Sequence, residues 1–176
     1  MGLRIKLDLA AETIREDPER GERALASVGR QMDDVLQELR LLARGIYPSL
    51  LHECGLREAL TAAARSSPLA VSVRAAGIGR FPEKIEIAVY FCCLEAIQNV
   101  VKHAGPDATA IVKFSRDGQH LCFEVHDTGV GFDSKHDGSG SGLVNMRDRI
   151  EAVGGVVEVT GRRGRGASVR GRVPVG

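Results

Sequence analysis

The chain has little of what nucleic-acid or membrane proteins depend on. Its 24 basic and 23 acidic residues nearly cancel, to a net charge of +1, which leaves no electrostatic footprint for nucleic acid. Aromatic residues are 4% of the total, and no basic run is interleaved with them. Arg162, Arg163 and Arg165 form a local cluster near the C-terminus that reads as a solvated hairpin turn. No apolar stretch approaches the ~20 residues that span a bilayer, and no signal peptide is visible. Cysteine is sparse: Cys54, Cys92, Cys93 and Cys122 form no CxxC pair. Adjacent Cys92 and Cys93 on a helix would point in different directions, which argues against a shared metal and for small buried hydrophobes in a reducing cytoplasm. Histidine is missing from the whole stretch before His52.

What remains is the composition of an ordinary globular protein, 43% hydrophobic and 27% charged over 176 residues. That length allows one good core and a smaller appended unit. The cleanest periodicity lies in residues 20–45, where Leu25, Val28, Met32, Val35, Leu39 and Leu42 follow spacings of 3, 4, 3, 4, 3, an a/d heptad seam. Leu3, Leu7, Ala10 and Ile14 carry the same rhythm before Asp17-Pro18 interrupts it. Two such helices joined tightly make an antiparallel hairpin. One hairpin hides its seam poorly, so pairing with a second copy into a four-helix bundle is expected.

Pro48 ends the long helix, because proline disfavours the helical conformation of the residue before it. A short helix from about Leu56 to Ala64 comes next, and Ser66-Ser67-Pro68 reads as a linker. The expected domains are therefore 1–66 and 67–176. The second is predicted as α+β. Residues 69–75 alternate as a strand, and Pro82 opens a helix reaching about His103. Val112 and Phe114 mark a strand, Asp117-Gly118 a hairpin turn, and Leu121, Phe123 and Val125 one face of the return strand. A helix from about Leu143 to Ala152 precedes two strands carrying Val157, Val159, Val169 and Val173. Helices among mostly antiparallel strands imply a two-layer α/β sandwich preceded by the helical hairpin.

Three polar segments in this second part fit plain core poorly. In CLEAIQNVVKHA, Glu95, Asn99, Lys102 and His103 share one sector of the helix, while Cys93, Ile97, Val100 and Val101 lie on the other side. Asn99 offers a hard oxygen suited to Mg²⁺, Lys102 a cation for phosphate, and Glu95 a base, although a solvated helix face would read the same way. Asp127 continues the inward series 121, 123, 125 and must find a partner there, either a backbone turn or a ligand such as the adenine amine. Gly129 and Gly131 would let the chain approach that ligand closely. Residues 133–142, DSKHDGSGSG, are either a surface loop or a lid over phosphates at a helix N-terminus.

CLEAIQNVVKHA, DTGVGFD and GSGLVNMRDRI, in this order, resemble the N, G1 and G2 boxes of the Bergerat-fold (GHKL) ATP-binding domain. NVVKHA, GLVNMRDRI and GIYPSLLHECGLREAL are similar, more narrowly, to the nitrate-sensor type of bacterial two-component histidine kinases. The resemblance implies ATP and Mg²⁺ as cofactors, with Asn99 on the metal and Glu95 assisting phosphoryl transfer. It further implies that Lys102, His103 and Leu143 line the nucleotide site, that Asp127 reads adenine, that Gly129 and Gly131 shape the pocket, and that Gly140 and Gly142 hinge a lid. The first 65 residues would be a dimerisation and histidine-phosphotransfer hairpin, giving a cytoplasmic homodimer that hands phosphate to a response regulator. This part would contact neither nucleic acid nor membrane, whether or not the parent is membrane-attached.

Two departures stand out. The family's late G-x-G-T element is Gly164-Arg165-Gly166-Ala167 here, so the threonine hydroxyl is missing, and Ser168 should face the other side of its strand. The family's acceptor His-Asp pair is also missing from the first hairpin helix. His126-Asp127 and His136-Asp137 match it in letters only, and His52, His120, His126 and His136 read as surface or structural histidines. The chain is thus expected to start just downstream of its acceptor and not to phosphorylate itself. The competing readings are an anti-sigma-factor-type serine kinase, against which the heptad hairpin argues, and a non-catalytic nucleotide-sensing dimer module.

Overall fold

A buried sheet face covered by helices organises the part of the molecule that carries the polar segments. The computed structural model describes residues 13, 17, 18, 20–25, 49–75, 77–132 and 141–176. The chain divides into two compact units, Met1–Tyr47 and Pro48–Gly176.

In the first unit, the Asp17 carboxylate accepts the Arg20 N–H at 3.0 Å, and residues 20–25 are helical. Asp17 as N-cap with Pro18 next explains why a helix starts here. The other seam positions Val28, Met32, Val35, Leu39 and Leu42, and Leu3, Leu7, Ala10 and Ile14, lie outside the described residues, as does the hairpin they would build.

The second unit starts with two short helices, α1 (Ser49–Cys54) and α2 (Leu56–Arg65). Helix α1 has no signature in the sequence, since within it only Leu51 is buried and six residues show no period. Helix α2 buries Leu56, Ala59, Leu60 and Ala64, the i, i+3, i+4, i+8 stripe of an amphipathic helix. Leu51, Leu56 and Leu60 sit in the core of the second unit, so both helices belong with the sheet. The packing boundary falls at 47/48 and not in the Ser66-Ser67-Pro68 segment.

Strand β1 (Ala70–Ala75) leads to the long helix α3 (Glu83–His103), for which Pro82 is the N-cap residue. Strands β2 (Thr109–Asp117) and β3 (His120–Asp127) form a hairpin turning at Gly118, where φ is 56°. Helix α4 (Ser141–Glu151) buries Met146 and Ile150, one turn apart. Strands β4 (Val156–Gly161) and β5 (Ala167–Pro174) complete a five-stranded sheet ordered β1-β2-β3-β5-β4. β1 runs parallel to β2, and the remaining pairs are antiparallel.

Alternation decides which face is which. Leu121, Phe123, Val125 and Asp127 of β3 all point inward, as the period of two requires. Leu121, Phe123 and Val125 meet Val89, Cys93 and Ile97 in the core. The opposite face is solvated and carries a cross-strand row of charge, with Arg74 beside Lys113, Lys113 beside Glu124, and Glu124 beside Arg170. Glu124 bonds Arg170 at 2.8 Å and Lys113 at 3.3 Å, and the Arg170 bond holds its carboxyl below the usual range. Two expectations change. Val101 is 38% exposed, although its neighbour Val100 is buried. Cys54 is exposed and Cys122 half-buried, whereas Cys92 and Cys93 are buried as expected. Burial pushes the Cys92 thiol up to about 12 and the Cys93 thiol well above its ordinary value, so both stay protonated and inert.

Candidate functional site

A cavity of about 350 Å³ opens between the carboxyl half of α3, the first turn of α4 and the inner face of β3, β4 and β5. Its walls are mostly apolar or small, among them Val125, Val159, Val169, Leu143 and Phe132. Polar side chains enter from α3, where Asn99 and His103 stand one turn apart. A greasy cavity with few oriented polar groups is the usual form of a small-molecule site.

Glu95 is not on the cavity wall but borders it. A Cβ built on Gly142 would overlap the Glu95 carboxylate and lie 3.6 Å from Asn99 Nδ2, so the first turn of α4 rests directly on these two side chains. Glu95 and Asn99 therefore converge on one end of the cavity, where a helix N-terminus also presents its amides. A carboxylate and an amide oxygen side by side are the hard donors that Mg²⁺ accepts alongside phosphate. Lys102, by contrast, is exposed and absent from the wall.

Asp127 has 5% of its surface exposed, and its buried carboxylate is held by backbone. Gly129 N–H donates to Oδ1 at 2.8 Å, and Ala167 N–H donates to Oδ2 at 3.2 Å. One side chain thus closes the turn after β3 and ties it to the start of β5. Each carboxylate oxygen keeps further accepting capacity, and an ionised carboxylate offers no donor. The turn is fastened on its other side too: Val130 N–H donates to Ala104 O at the end of α3, and Gly129 packs so closely on Ala104 that any Cβ would clash. Gly131 adopts φ 63°, and a Cβ there would overlap the Arg162 carbonyl oxygen, so this position admits glycine alone.

The fold brings most of the expected residues together. Asn99, His103, Gly131, Gly142 and Leu143 share the cavity, and Glu95, Asp127 and Gly129 border or frame it. Gly140, most of the lid and His136 lie outside the described residues. The Gly164–Ala167 departure is real in space: Ala167 lines the cavity, whereas the Ser168 hydroxyl turns away and bonds Glu124 Oε1 at 3.3 Å. His52 pairs with Glu83 at 3.4 Å, and His120 lies 3.2 Å from Arg172. Sequence reasoning misses the apolar wall. Phe132, which packs on Gly161, is detectable as an aromatic beside a turn glycine. Val159 and Val169 read in the sequence only as strand residues.

The ATP-binding resemblance is borne out by comparison with known proteins. Residues 84–176 match the model of the histidine kinase-, DNA gyrase B-, and HSP90-like ATPases. This chain belongs to that family. Residues 1–51 match a histidine kinase model, so the two matches succeed each other in the order of the phosphotransfer and ATP-binding parts of a two-component histidine kinase. The ATPase-family chain is 29% identical over 159 residues to the sensor histidine kinase MctS of Rhizobium johnstonii, covering 85% of this chain and 34% of that protein. It is 30% identical over 151 residues to the oxygen sensor histidine kinase NreB of Staphylococcus carnosus, covering 82% and 43%. The chain thus spans between a third and a half of these relatives. Among solved structures, the histidine kinase domain of the blue-light activated histidine kinase of Erythrobacter litoralis EL346 matches with a TM-score of 0.59 at 21% identity, over 69% of this chain and 59% of that one. The catalytic domain of histidine kinase ThkA matches at 0.52 and 12%, over 66% and 86%. These likenesses identify the fold, the two-layer sandwich of histidine kinase ATPase domains.

Proposed function

We propose that the chain is the ATP-binding catalytic portion of a two-component sensor histidine kinase, working with Mg·ATP. The observation that carries this reading is the convergence of Glu95, Asn99 and the first turn of α4 at one end of an apolar cavity. The base would occupy the apolar end near Asp127, whose acceptor-only carboxylate suits an exocyclic amine. The phosphates would lie toward Asn99 and α4, with Lys102 and His103 offsetting charge and Gly140 and Gly142 moving with the lid. Mg²⁺ would be held by Asn99 and the phosphates, where it supplies neutralisation of the transferred group. Glu95 would orient the attacking imidazole and accept its proton, so catalysis is mainly positioning and electrostatic.

The acceptor histidine is not among residues 1–51. On this reading, residues 1–47 dimerise as part of a phosphotransfer hairpin, residues 48–176 hold the nucleotide, and the intact cytoplasmic protein passes phosphate to a response-regulator aspartate. Among the described residues, no helix is long and apolar enough to cross a membrane.

Calorimetric titration with Mg·ATP tests the site. Asn99→Ala and Asp127→Asn should each weaken binding by about tenfold or more, a loss of roughly 1.4 kcal/mol. Equal affinity for Asp127→Asn and the parent would remove the adenine-reading role.

A further inference from the structure

Helix α3 carries a second polar centre, at the end remote from the cavity, that no part of the nucleotide reading uses. Glu86 sits in its first turns with 2% of its surface exposed. An ionised group so buried must be fully partnered. Arg80 supplies most of the partners: Nε donates to Oε1 at 3.0 Å and to Oε2 at 3.3 Å, and Nη2 donates to Oε2 at 3.0 Å. Phe81 N–H donates to Oε1 at 3.1 Å.

The same guanidinium does a second thing. Nη2 donates to His52 O at 2.9 Å and Leu51 O at 3.3 Å, and Nη1 reaches Glu53 O at 3.5 Å. These are carbonyls of the last turn of α1, where a helix end runs short of intrahelical donors; Leu51 O also accepts the Gly55 amide at 2.9 Å. Gly55, at φ 86°, makes the arrangement possible, since a Cβ there would stand 2.9 Å from Arg80 Cδ. A planar fork is required to serve a carboxylate and a helix end at once; an ammonium could neutralise Glu86 without spanning both.

We propose that Arg80 and Glu86 are a positioning clamp that makes α1 and α3 move as one body, coupling nucleotide occupancy to the segment through which the chain enters the ATP-binding unit. The proposal rests on the nucleotide-binding function proposed for the cavity. Glu86 and Asn99 lie ~20 Å apart along one continuous helix, so a shift of α3 at the cavity reaches α1 instead of being absorbed at Gly55.

Hydrogen exchange on the whole chain, with and without the non-hydrolysable probe Mg·AMP-PNP, tests it. In the parent, nucleotide should slow exchange several-fold both in the turn 128–131 and in residues 49–55, including the Gly55 amide that bonds Leu51 O. In Arg80→Met/Glu86→Leu, which exchanges the ion pair for packed apolar groups, slowing should persist at 128–131 and vanish at 49–55. Arg80→Lys, which keeps the charge pair, should also lose slowing at 49–55 while retaining the parent's Tm more nearly; it serves if the double variant fails to fold. Undiminished slowing at 49–55 in Arg80→Lys, or slowing confined to 128–131 in the parent, would overturn the clamp while leaving nucleotide binding intact. No slowing anywhere would remove both readings together.

Discussion

The two ends of helix α3 make different uses of the same kind of residue. Near its start, Glu86 points into the body of the unit and is satisfied entirely by the protein, through Arg80 and the Phe81 amide. Further along, Glu95 and Asn99 point to where α4 begins, beside a cavity that the protein leaves unfilled. In sequence both are carboxylates on an apolar helix, and Glu86 even looks the more ordinary, as a first-turn acid favoured by the helix dipole. What separates a structural carboxylate from a chemical one is which elements the fold brings against it. Asp127 lies between the two cases, held by backbone on both oxygens yet set beside the cavity.

The largest expected effect on stability is at the first end: Glu86→Ala should lower unfolding free energy by roughly 2–3 kcal/mol, since the Phe81 amide loses its acceptor and Arg80 its anion. Urea unfolding measures the loss, and calorimetry should find Mg·ATP affinity within about twofold of the parent, as expected for sites this far apart. Unchanged stability with lost affinity would mean that Glu86, not Glu95, serves the ligand.

Asp127→Asn should affect both properties. Its amide nitrogen would face an N–H donor, from Gly129 or Ala167, and lose one bond, for about 1–2 kcal/mol of stability alongside the weakened binding. A change in binding alone would make Asp127 purely a ligand contact.

Gly142→Ala addresses the other end. The new Cβ must displace the Glu95 carboxylate, so Mg·ATP binding should weaken by about tenfold or more while stability changes by less than about 1 kcal/mol. Parent-like Mg·ATP affinity in calorimetry would show that Glu95 placement against α4 is irrelevant.

The smallest effect lies on the open sheet face, as a control remote from both ends. The folded-state pKa of Glu124 is lowered by its bond to Arg170, so its stabilisation is present above the ordinary carboxylate pKa and lost as pH falls through the folded value. Glu124→Gln should flatten the acid limb of the stability profile by less than about 1 kcal/mol, followed by thermal melts across that range, with no change in nucleotide affinity.

Much of the site is legible in the sequence. The inward series at 121, 123, 125 and 127 announces both a strand and an inward carboxylate, and glycine at 129 and 131 announces a tight turn. The opposite facing of Ala167 and Ser168 comes from alternation alone. Helix α1 is not legible, because within it Leu51 alone is buried. Nor is the role of Glu86, whose carbonyl-capping partner Arg80 reaches back to residues 51–53, or the Asp127 bond to Ala167, which spans 40 positions.

Residue order alone specified most of the element types, the inward faces of the strands and the family of ATP-binding folds, because period and turn chemistry are local properties of neighbouring residues. Which carboxylate is a brace and which borders a cavity follows from long-range packing. That distinction depends on groups distant in the chain, such as Arg80 against Leu51, or Gly142 against Glu95, and on whether their approach leaves the carboxylate enclosed or beside open space.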